Sequence, residues 1–228
     1  MADRRFLITG AFGALGSAVA RAAAAQGARL ALVDMAPRAP ADTAENAVVF
    51  PGVDLSDPAQ ADNVAREAAA RLGGIDALIN VAGTFRWETV DGGSTQTWDF
   101  LYRVNVATAV NMSRAALPHL LKSPAGRIVN VGAAGALKAA AGMGAYAASK
   151  SGVHSLTQAL AEETKGKGVT VNAVLPSIID TAANRADMPD ADFGAWVKPA
   201  DLAAVILFLA SEQAGAVTGA LVPVTGGV

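Results

Sequence analysis

The sequence has no cysteine among its 228 residues and only two histidines, His119 and His154. The absence of cysteine excludes disulfides, thiolate metal ligands and a cysteine nucleophile. The two histidines lie far apart in the chain, so we predict no metal site. Charged residues make up only 17% of the chain and give a net charge of −2. Without a basic surplus to contact phosphates, the sequence does not indicate a nucleic-acid partner.

Long hydrophobic runs are also missing. The first apolar run, Phe6–Ile8, is too short for a signal peptide. Uncharged stretches such as Val104–Ser113 and Leu202–Ser211 fall short of the roughly 20 residues that span a bilayer. Hydrophobic residues nevertheless make up 52% of the chain, which excludes disorder because so apolar a chain buries a large core. We expect a soluble cytoplasmic protein with no membrane partner.

Short apolar runs alternate with longer helical patterns along the chain. The runs are nearly continuous in apolar residues, which is typical of strands covered on both faces of a parallel sheet. The predicted strands are Phe6–Thr9, Arg29–Asp34, Ala47–Val53, Asp76–Asn80, Arg127–Val131, Val169–Val174 and Ala220–Val224. The predicted helices are Ala14–Gln26, Pro58–Leu72, Thr95–Leu121, Ala145–Thr164 and Pro199–Leu209. The alternation predicts a doubly wound α/β fold with right-handed crossovers.

No linker, repeat or low-complexity segment divides the chain, so we predict one domain over residues 1–228. Ser56 and Pro58 predict the beginning of the second helix. The least regular stretch is Ser177–Lys198, which contains a proline, a glycine and acidic residues. We interpret that stretch as a substrate loop or lid, and the sequence leaves open whether it closes over the substrate.

A glycine-rich turn follows the first strand, with glycines at Gly10, Gly13 and Gly16. Glycines let the backbone approach a pyrophosphate, and the helix that follows supplies amides and the positive end of its dipole. Asp34 ends the second strand, where an acidic residue accepts hydrogen bonds from a ribose and repels a 2′-phosphate. We therefore predict NADH as cofactor and NADP as the weaker alternative. The nearby Arg38 reduces the predicted preference, because an arginine there can accommodate the 2′-phosphate of NADP.

Tyr146 and Lys150 stand four positions apart at the start of a helix, so they share one face. A lysine ammonium beside a phenol favours phenolate and lowers a tyrosine pKa that is ordinarily about 10. Such a tyrosine exchanges protons near neutral pH, as general acid–base catalysis requires. The alternative is a half-buried tyrosine beside a surface lysine, but the preceding glycine turn favours the catalytic interpretation.

Polar residues also mark the ends of other strands. Asn80–Gly83 ends the fourth strand, at the edge where open α/β sheets bind ligands. Asn105 interrupts an apolar helical stretch, where a buried amide is costly unless it is hydrogen-bonded; a solvent-facing position is the alternative. Asp54 follows the third strand and is either an adenine contact or a residue of the turn that opens a helix.

Three aromatic side chains, Phe85, Trp87 and Trp196, flank the predicted cleft. Each is a candidate substrate platform, although an aromatic side chain is more often part of a core. His154 lies one turn beyond Lys150, and for it we favour packing or an interface over catalysis.

Together these motifs resemble the short-chain dehydrogenase/reductase family from Arg5 to Val228. The matching motifs are Thr9–Gly16, Asp54, Asn80–Gly83, Asn105, Tyr146 with Lys150, Pro176 with Thr181, and Val217–Gly219. The resemblance implies a Rossmann-type fold with a seven-stranded parallel sheet, a nicotinamide cofactor and hydride transfer to a small-molecule substrate. It also implies a homodimer or homotetramer, because members of the family commonly pair the helices that correspond to Thr95–Leu121 and Ala145–Thr164.

The resemblance also implies roles for individual residues. Tyr146 would donate the proton, Lys150 would bind the nicotinamide ribose, and Asn105 would support a proton relay. Thr181 would contact the nicotinamide carboxamide. The full set of implied cofactor contacts is Gly10, Phe12, Gly13, Ala14, Leu15, Gly16, Asp34, Asp54, Leu55, Asn80, Ala82, Gly83, Tyr146, Lys150, Pro176, Ile179 and Thr181.

Three positions depart from the family pattern. Ala14 stands where the standard branch has its middle glycine, and Ser177 replaces the glycine that usually follows Pro176. Ala133 occupies the place of the serine that holds the substrate carbonyl oxygen, and no hydroxyl occurs between Ile128 and Gly144. A ketone that develops alkoxide character would lose a stabilising donor there, which is worth a few kcal/mol in oxyanion-type sites.

The dihydropteridine reductase branch of the family also lacks that serine. Asn105 is typical of the standard branch. The features similar to the serine-less branch are Ala173–Pro176, Asp180–Thr181, Asn184–Arg185, Met188–Phe193, Trp196 and Val153–His154. We therefore predict an NADH-preferring reductase of a quinonoid or pterin-like substrate, with Ala133, Trp87 and Trp196 as weak candidates for substrate contacts. The alternatives are a carbonyl or alcohol oxidoreductase and a catalytically weak regulator that binds NAD.

Overall fold

Seven parallel strands form one sheet in the computed structural model, which describes residues 1–228. The strands are β1 (Arg5–Thr9), β2 (Arg29–Val33), β3 (Val48–Phe50), β4 (Ala77–Asn80), β5 (Gly126–Val131), β6 (Val169–Pro176) and β7 (Leu221–Val224). Their order across the sheet is β3-β2-β1-β4-β5-β6-β7. Every residue of β4, β5 and β6 is buried because helices cover both faces of the sheet. The predicted fold class, a single α/β domain with a seven-stranded parallel sheet, is confirmed.

Seven helices surround the sheet. They are α1 (Ala14–Ala25), α2 (Pro58–Leu72), α3 (Thr95–Tyr102), α4 (Thr108–Leu120), α5 (Gly144–Glu163), α6 (Ala182–Asp187) and α7 (Pro199–Leu209). Successive residues of a strand point to opposite faces. Phe6 and Ile8 therefore enter one core, with α1 and α7, while Leu7 enters the other, with α2 and α4. None of the helices combines the length and the apolar character needed to cross a bilayer.

The segment predicted as one helix, Thr95–Leu121, is divided in the structure. A π-helical turn, Arg103–Ala107, separates α3 from α4. A π turn holds an extra residue per turn and is frequent at functional sites. It coincides here with the buried Asn105, whose amide bonds to a distant segment. Helical periodicity did not predict it, because the single polar residue Asn105 interrupts the apolar stretch without indicating a change in helix geometry.

Several boundaries also differ from the prediction, and the third strand has only three residues, Val48–Phe50, instead of Ala47–Val53. Asp57, not Ser56, is the N-cap of α2, because its carboxylate accepts a hydrogen bond from Ala59 N at 2.8 Å. The segment predicted as a loop, Ser177–Lys198, contains the short helix α6. Thr181 caps this helix, and its hydroxyl accepts a hydrogen bond from Asn184 N at 3.2 Å.

Candidate active site

The predicted site residues lie at the carboxyl edge of the sheet, around the point where strand order reverses between β1 and β4. Open α/β sheets bind ligands in the crevice at such a switch point. The Thr9 hydroxyl joins the ends of the two strands, because it accepts hydrogen bonds from Val81 N and Ala82 N at 3.1 Å each. The glycine turn and the Asn80–Gly83 segment are thus held side by side.

Two glycines of the turn are required by close backbone contacts. Gly10 has a φ of +59°, and a Cβ there would lie 2.7 Å from Ala82 N. A Cβ on Gly16 would overlap the carbonyl oxygen of Gly10 and lie 2.7 Å from Ala11 Cα. Gly13 differs, because a Cβ there would lie an ordinary 3.5 Å from Gly10 O. The turn is tight at Gly10 and Gly16 and open at Gly13.

Helix α1 begins immediately after this turn with Gly13 as its N-cap, and no side chain caps its amides. The first amides of a helix have no partner within the helix, and their dipoles favour an anion. Gly13 and Ala14 are exposed at this end, while Leu15 is buried beneath them. The uncapped amides and the glycine cradle fit the pyrophosphate of a dinucleotide.

Asp34 lies beside the turn at the end of β2. Its carboxylate accepts hydrogen bonds from Phe12 N and Ala36 N, each at 2.9 Å. Each carboxylate oxygen accepts more than one hydrogen bond, so the half-buried Asp34 retains capacity for ribose hydroxyls. The Phe12 amide is not available to a phosphate because it is bonded to Asp34.

Asp54 lies in the turn before α2, the alternative placement weighed from the sequence. Its Oδ1 accepts hydrogen bonds from both the amide and the hydroxyl of Ser56, at 2.9 and 2.7 Å, and its Oδ2 has no protein partner. Leu55, the next residue, is 4% exposed and packs in the core beneath α2 and α4.

The Asn80 side chain lies in the interior instead of the crevice. It is 4% exposed, and its amide donates to Ser113 Oγ at 3.2 Å and to Asn130 Oδ1 at 2.9 Å. These bonds join β4, β5 and α4 beneath the site. Any contact between Asn80 and a cofactor is therefore left to its main chain.

The Asn105 amide fixes the segment that follows β4. Its Oδ1 accepts from Thr84 N at 2.7 Å, and its Nδ2 donates to Thr84 O at 3.0 Å and to Ser149 Oγ at 2.9 Å. A Cβ on Gly83 would lie 2.7 Å from Asn105 Oδ1 and 3.1 Å from Lys150 Nζ. Asn105 and Lys150 thus meet at Gly83, and the solvent-facing alternative for Asn105 is wrong.

Tyr146 and Lys150 share one face of α5, as their spacing predicts, but the predicted pKa effect is wrong. Burial raises the pKa of Tyr146 to about 12 and lowers the pKa of Lys150 to about 8. The Lys150 ammonium donates to the carbonyl oxygen of Val131 at 2.8 Å instead of to the phenol. Desolvation therefore dominates at both groups, because a buried group favours its neutral form.

Phe85 packs directly against the tyrosine. The two ring centroids are 4.9 Å apart with an interplanar angle of 83°, an edge-to-face contact. Phe85 is still 51% exposed, so the ring of Phe85 both supports Tyr146 and presents an aromatic surface beside it.

Ala133 lies at the end of β5 and brings no hydroxyl to the site. It is 4% exposed, and its amide donates a hydrogen bond to His154 Nε2 at 3.3 Å. His154 is itself 6% exposed. The packing interpretation of His154 therefore agrees with its position, while its bond to residue 133 was not predicted.

The two candidate substrate tryptophans differ in exposure. Trp87 is 63% exposed, and its indole donates to Ala141 O at 3.1 Å. Trp196 is 5% exposed and packs against Phe193, with ring centroids 4.8 Å apart. Because the residues around Trp196 cover nearly all of its side chain, the ring does not offer an open surface to a substrate.

The segment after β6 is tied back to the sheet. Ser177, which replaces the usual glycine, donates its hydroxyl to Thr225 O at 2.7 Å. Ile179 forms a parallel bridge with Val197. Thr181 accepts the α6 cap bond but retains its hydroxyl hydrogen. Pro176, Ile179 and Thr181 therefore follow one another along the crevice edge of β6.

A glycine turn at the switch point of a parallel sheet, with a tyrosine and a lysine at the same edge, defines a class of oxidoreductases that use a dinucleotide cofactor. Residues 4–192 match the family model described as short chain dehydrogenase. The chain belongs to the short-chain dehydrogenase/reductase family, which uses NAD(P).

Curated relatives extend the match over nearly the whole chain. The chain is 35% identical to meso-2,3-butanediol dehydrogenase of Serratia marcescens, over 97% of this chain and 92% of that protein. It is 34% identical to D-threitol dehydrogenase of Mycolicibacterium smegmatis, over 97% and 91%. It is 31% identical to acetoacetyl-CoA reductase of Allochromatium vinosum, over 97% of each. These likenesses support an NAD(P)H-dependent oxidoreductase.

Proposed function

We propose that this protein is an NADH-preferring reductase in which Tyr146 donates the proton. The observation that carries the proposal is that the glycine turn, Tyr146 and Lys150 lie at one edge of the sheet. Lys150 Nζ comes so close to the Asn80–Gly83 segment that a Cβ on Gly83 would lie 3.1 Å from it. Bound NADH supplies a hydride. The chain's own residues hold the dinucleotide and supply the proton that completes the reduction.

In this proposal the residues that would hold the cofactor extend from the end of β2 to the end of β6. Asp34 binds the adenosine ribose, and the uncapped amides of α1 bind the pyrophosphate. Lys150 binds the nicotinamide ribose, and Thr181 donates its free hydroxyl hydrogen to the carboxamide. The residues that complete the set are Gly10, Phe12, Gly13, Ala14, Leu15, Gly16, Asp54, Leu55, Asn80, Ala82, Gly83, Pro176 and Ile179.

The pKa of Tyr146 suits a proton donor. A phenol whose pKa is raised to about 12 stays protonated through the neutral range. It can give a proton to a substrate atom that gains electrons from the hydride, but it is a poor base for the reverse oxidation. Asn105 fixes the Thr84 backbone beside Lys150 and supports the proton relay.

Asp34 makes the cofactor preference testable. We expect Asp34→Ala to reduce the NADH-over-NADPH preference in kcat/KM by about tenfold, because the carboxylate that binds a ribose also repels a 2′-phosphate. Asp42→Ala is the matched control, since Asp42 is exposed and pairs with Arg21 at 2.9 Å. Steady-state kinetics with both cofactors measure the ratio. An unchanged ratio in Asp34→Ala contradicts a role for Asp34 in binding the ribose.

We propose a quinonoid or pterin-like substrate. Residue 133 offers no donor to a carbonyl oxygen, because Ala133 has no hydroxyl and its amide is bonded to His154. Reduction of a quinonoid ring ends with protonation of a ring nitrogen and spreads charge through a conjugated system, so it depends less on such a donor. The exposed rings of Phe85 and Trp87 suit a flat substrate. The resemblance to dihydropteridine reductase also supports this class.

The segment Ser177–Lys198 completes the substrate side in this proposal. Asp180 and Arg185 form a two-bond ion pair at 2.6 and 2.8 Å, and Arg185 also lies over the Phe193 ring at 4.6 Å. These contacts order the segment beside Thr181. The segment would cover a substrate bound between Tyr146 and the nicotinamide.

A carbonyl or alcohol substrate is the second candidate function. The names of three relatives that are 31–35% identical to this chain, two dehydrogenases of hydroxyl compounds and one acyl-CoA reductase, favour it. In that case another polar group or water must replace the missing serine hydroxyl.

The substitution Ala133→Ser separates the two substrate classes. We expect the wild-type enzyme to oxidise NADH with a quinonoid dihydropterin and to turn over simple ketones poorly. If the substrate is a carbonyl compound, restoring the hydroxyl should raise kcat/KM for ketones at least about tenfold, since one oxyanion donor is worth that much or more. No gain would count against the carbonyl candidate. Ala139→Ser, on an exposed loop, is the control. Efficient wild-type turnover of ketones but not of the dihydropterin would contradict the pterin-like substrate.

We also propose a homodimer or homotetramer. Large apolar side chains are exposed on the helices that the family pairs, including Trp98, Tyr102 and Val110. Association would bury these side chains. Light scattering at micromolar concentration should therefore give a multiple of the 22.9 kDa chain mass, and a monomer would contradict the proposal.

A further inference from the structure

We infer that His154 is a positioning residue that fixes the end of β5 opposite Tyr146. The inference rests on the proposed function, because it assigns to residues 131–133 a place beside the substrate. His154 itself is nearly fully buried and touches neither the substrate nor the cofactor in this assignment.

Helix α5 presents three functional side chains on successive turns: Tyr146, Lys150 and His154. Lys150 Nζ donates to Val131 O at 2.8 Å, and His154 Nε2 accepts from Ala133 N at 3.3 Å. The two basic side chains therefore hold the main chain on both sides of Gly132. The helix that carries the proton donor thus also holds the main chain of residues 131–133 in place.

Gly132 allows this arrangement. A Cβ there would lie 2.5 Å from His154 Nε2 and 3.3 Å from Leu175 Cδ1. Any side chain at residue 132 would therefore push the imidazole away from the Ala133 amide. Gly132 and His154 thus form a close contact between α5 and the segment that follows β5.

The hydrogen bond requires one protonation state of the imidazole. Nε2 accepts a hydrogen bond only when it has no proton, so the proton must be on Nδ1. Burial and the charge of Lys150 both lower the pKa of His154, which keeps the ring neutral at pH 7. Lys150 is the charged group that acts on this ring, since Gly132, Ala133 and Leu175 on the facing strands carry no charge.

Protonation at acid pH would convert Nε2 from an acceptor into a donor. It would then face the Ala133 amide, also a donor, with a second positive charge beside Lys150. The residue 131–133 segment should loosen, and the substrate would lose its fixed position relative to Tyr146. We therefore expect kcat to fall at acid pH as His154 becomes protonated, which gives the pH–rate profile an acid limb.

The experiment compares His154→Leu with His154→Gln. The glutamine amide oxygen reaches about as far as Nε2 and can accept from Ala133 N, whereas leucine cannot. We expect His154→Leu to lower kcat about tenfold, the effect of one lost positioning hydrogen bond, with KM for NADH within about twofold. His154→Gln should restore most of kcat and lose the acid limb. His119→Gln, at the far end of α4, should keep the wild-type profile.

Hydrogen exchange of the Ala133 amide gives a second measurement that needs no turnover. The amide should exchange faster in His154→Leu than in the wild type and stay protected in His154→Gln. Equal protection in all three, or an acid limb that persists in His154→Gln, would overturn the assignment. A wild-type enzyme without Tyr146-dependent turnover would instead contradict the proposed function, while exchange would still test His154.

Discussion

Replacing Tyr146 with phenylalanine is expected to lower kcat about 10²- to 10⁴-fold, the range that a positioned general acid contributes. The phenylalanine ring keeps the edge-to-face contact with Phe85 and removes only the hydroxyl that donates the proton. The Kd for NADH should therefore stay within about twofold, since the hydroxyl adds little to cofactor binding in the ground state. Stopped-flow NADH oxidation and NADH fluorescence titration measure the two quantities.

Tyr102→Phe is the matched control for this substitution. Tyr102 is the other tyrosine of the chain, and it is 60% exposed at the end of α3. Its rate should equal that of the wild type. Retained turnover in Tyr146→Phe would exclude Tyr146 as proton donor. If the wild type turned over no substrate but still bound NADH, the result would instead favour the alternative of a catalytically weak regulator that binds NAD.

The second large effect concerns the glycine turn. We expect Gly16→Ala to lower the free energy of unfolding by about 3 kcal/mol, because its Cβ would overlap the rigid backbone at Gly10. Moving that backbone also displaces Ala82, which lies against Gly10. The affinity for NADH should therefore fall more than about tenfold. Urea denaturation and fluorescence titration measure the two changes.

Gly13→Ala provides the comparison within the same turn. A Cβ on Gly13 makes an ordinary 3.5 Å contact, and the backbone there has a φ of −75° that alanine adopts without strain. Its free energy of unfolding should stay within about 1 kcal/mol of the wild type. Equal destabilisation by Gly13→Ala and Gly16→Ala would show that close backbone packing is not the reason for the glycine at residue 16.

The fold could be predicted from the sequence because its signals are local. Buried parallel strands leave continuous apolar runs such as Leu30–Val33, and the helices between them keep their apolar period. The π turn at Asn105 was missed because one polar residue in an apolar helical stretch does not reveal a local change in helix geometry. Helix α6 was missed because it is short and depends on a cap at Thr181.

The sequence by itself determined the seven strands, the glycine turn and the shared face of Tyr146 and Lys150, because each follows from spacing along one strand or helix. Only the tertiary structure decided what surrounds them. Burial, not the lysine charge, sets the pKa of Tyr146, and the ammonium of Lys150 is bonded to Val131 O. Burial leaves Trp196 only 5% exposed. Desolvation and the choice of hydrogen-bond partner depend on groups from distant strands, and no local pattern contains them.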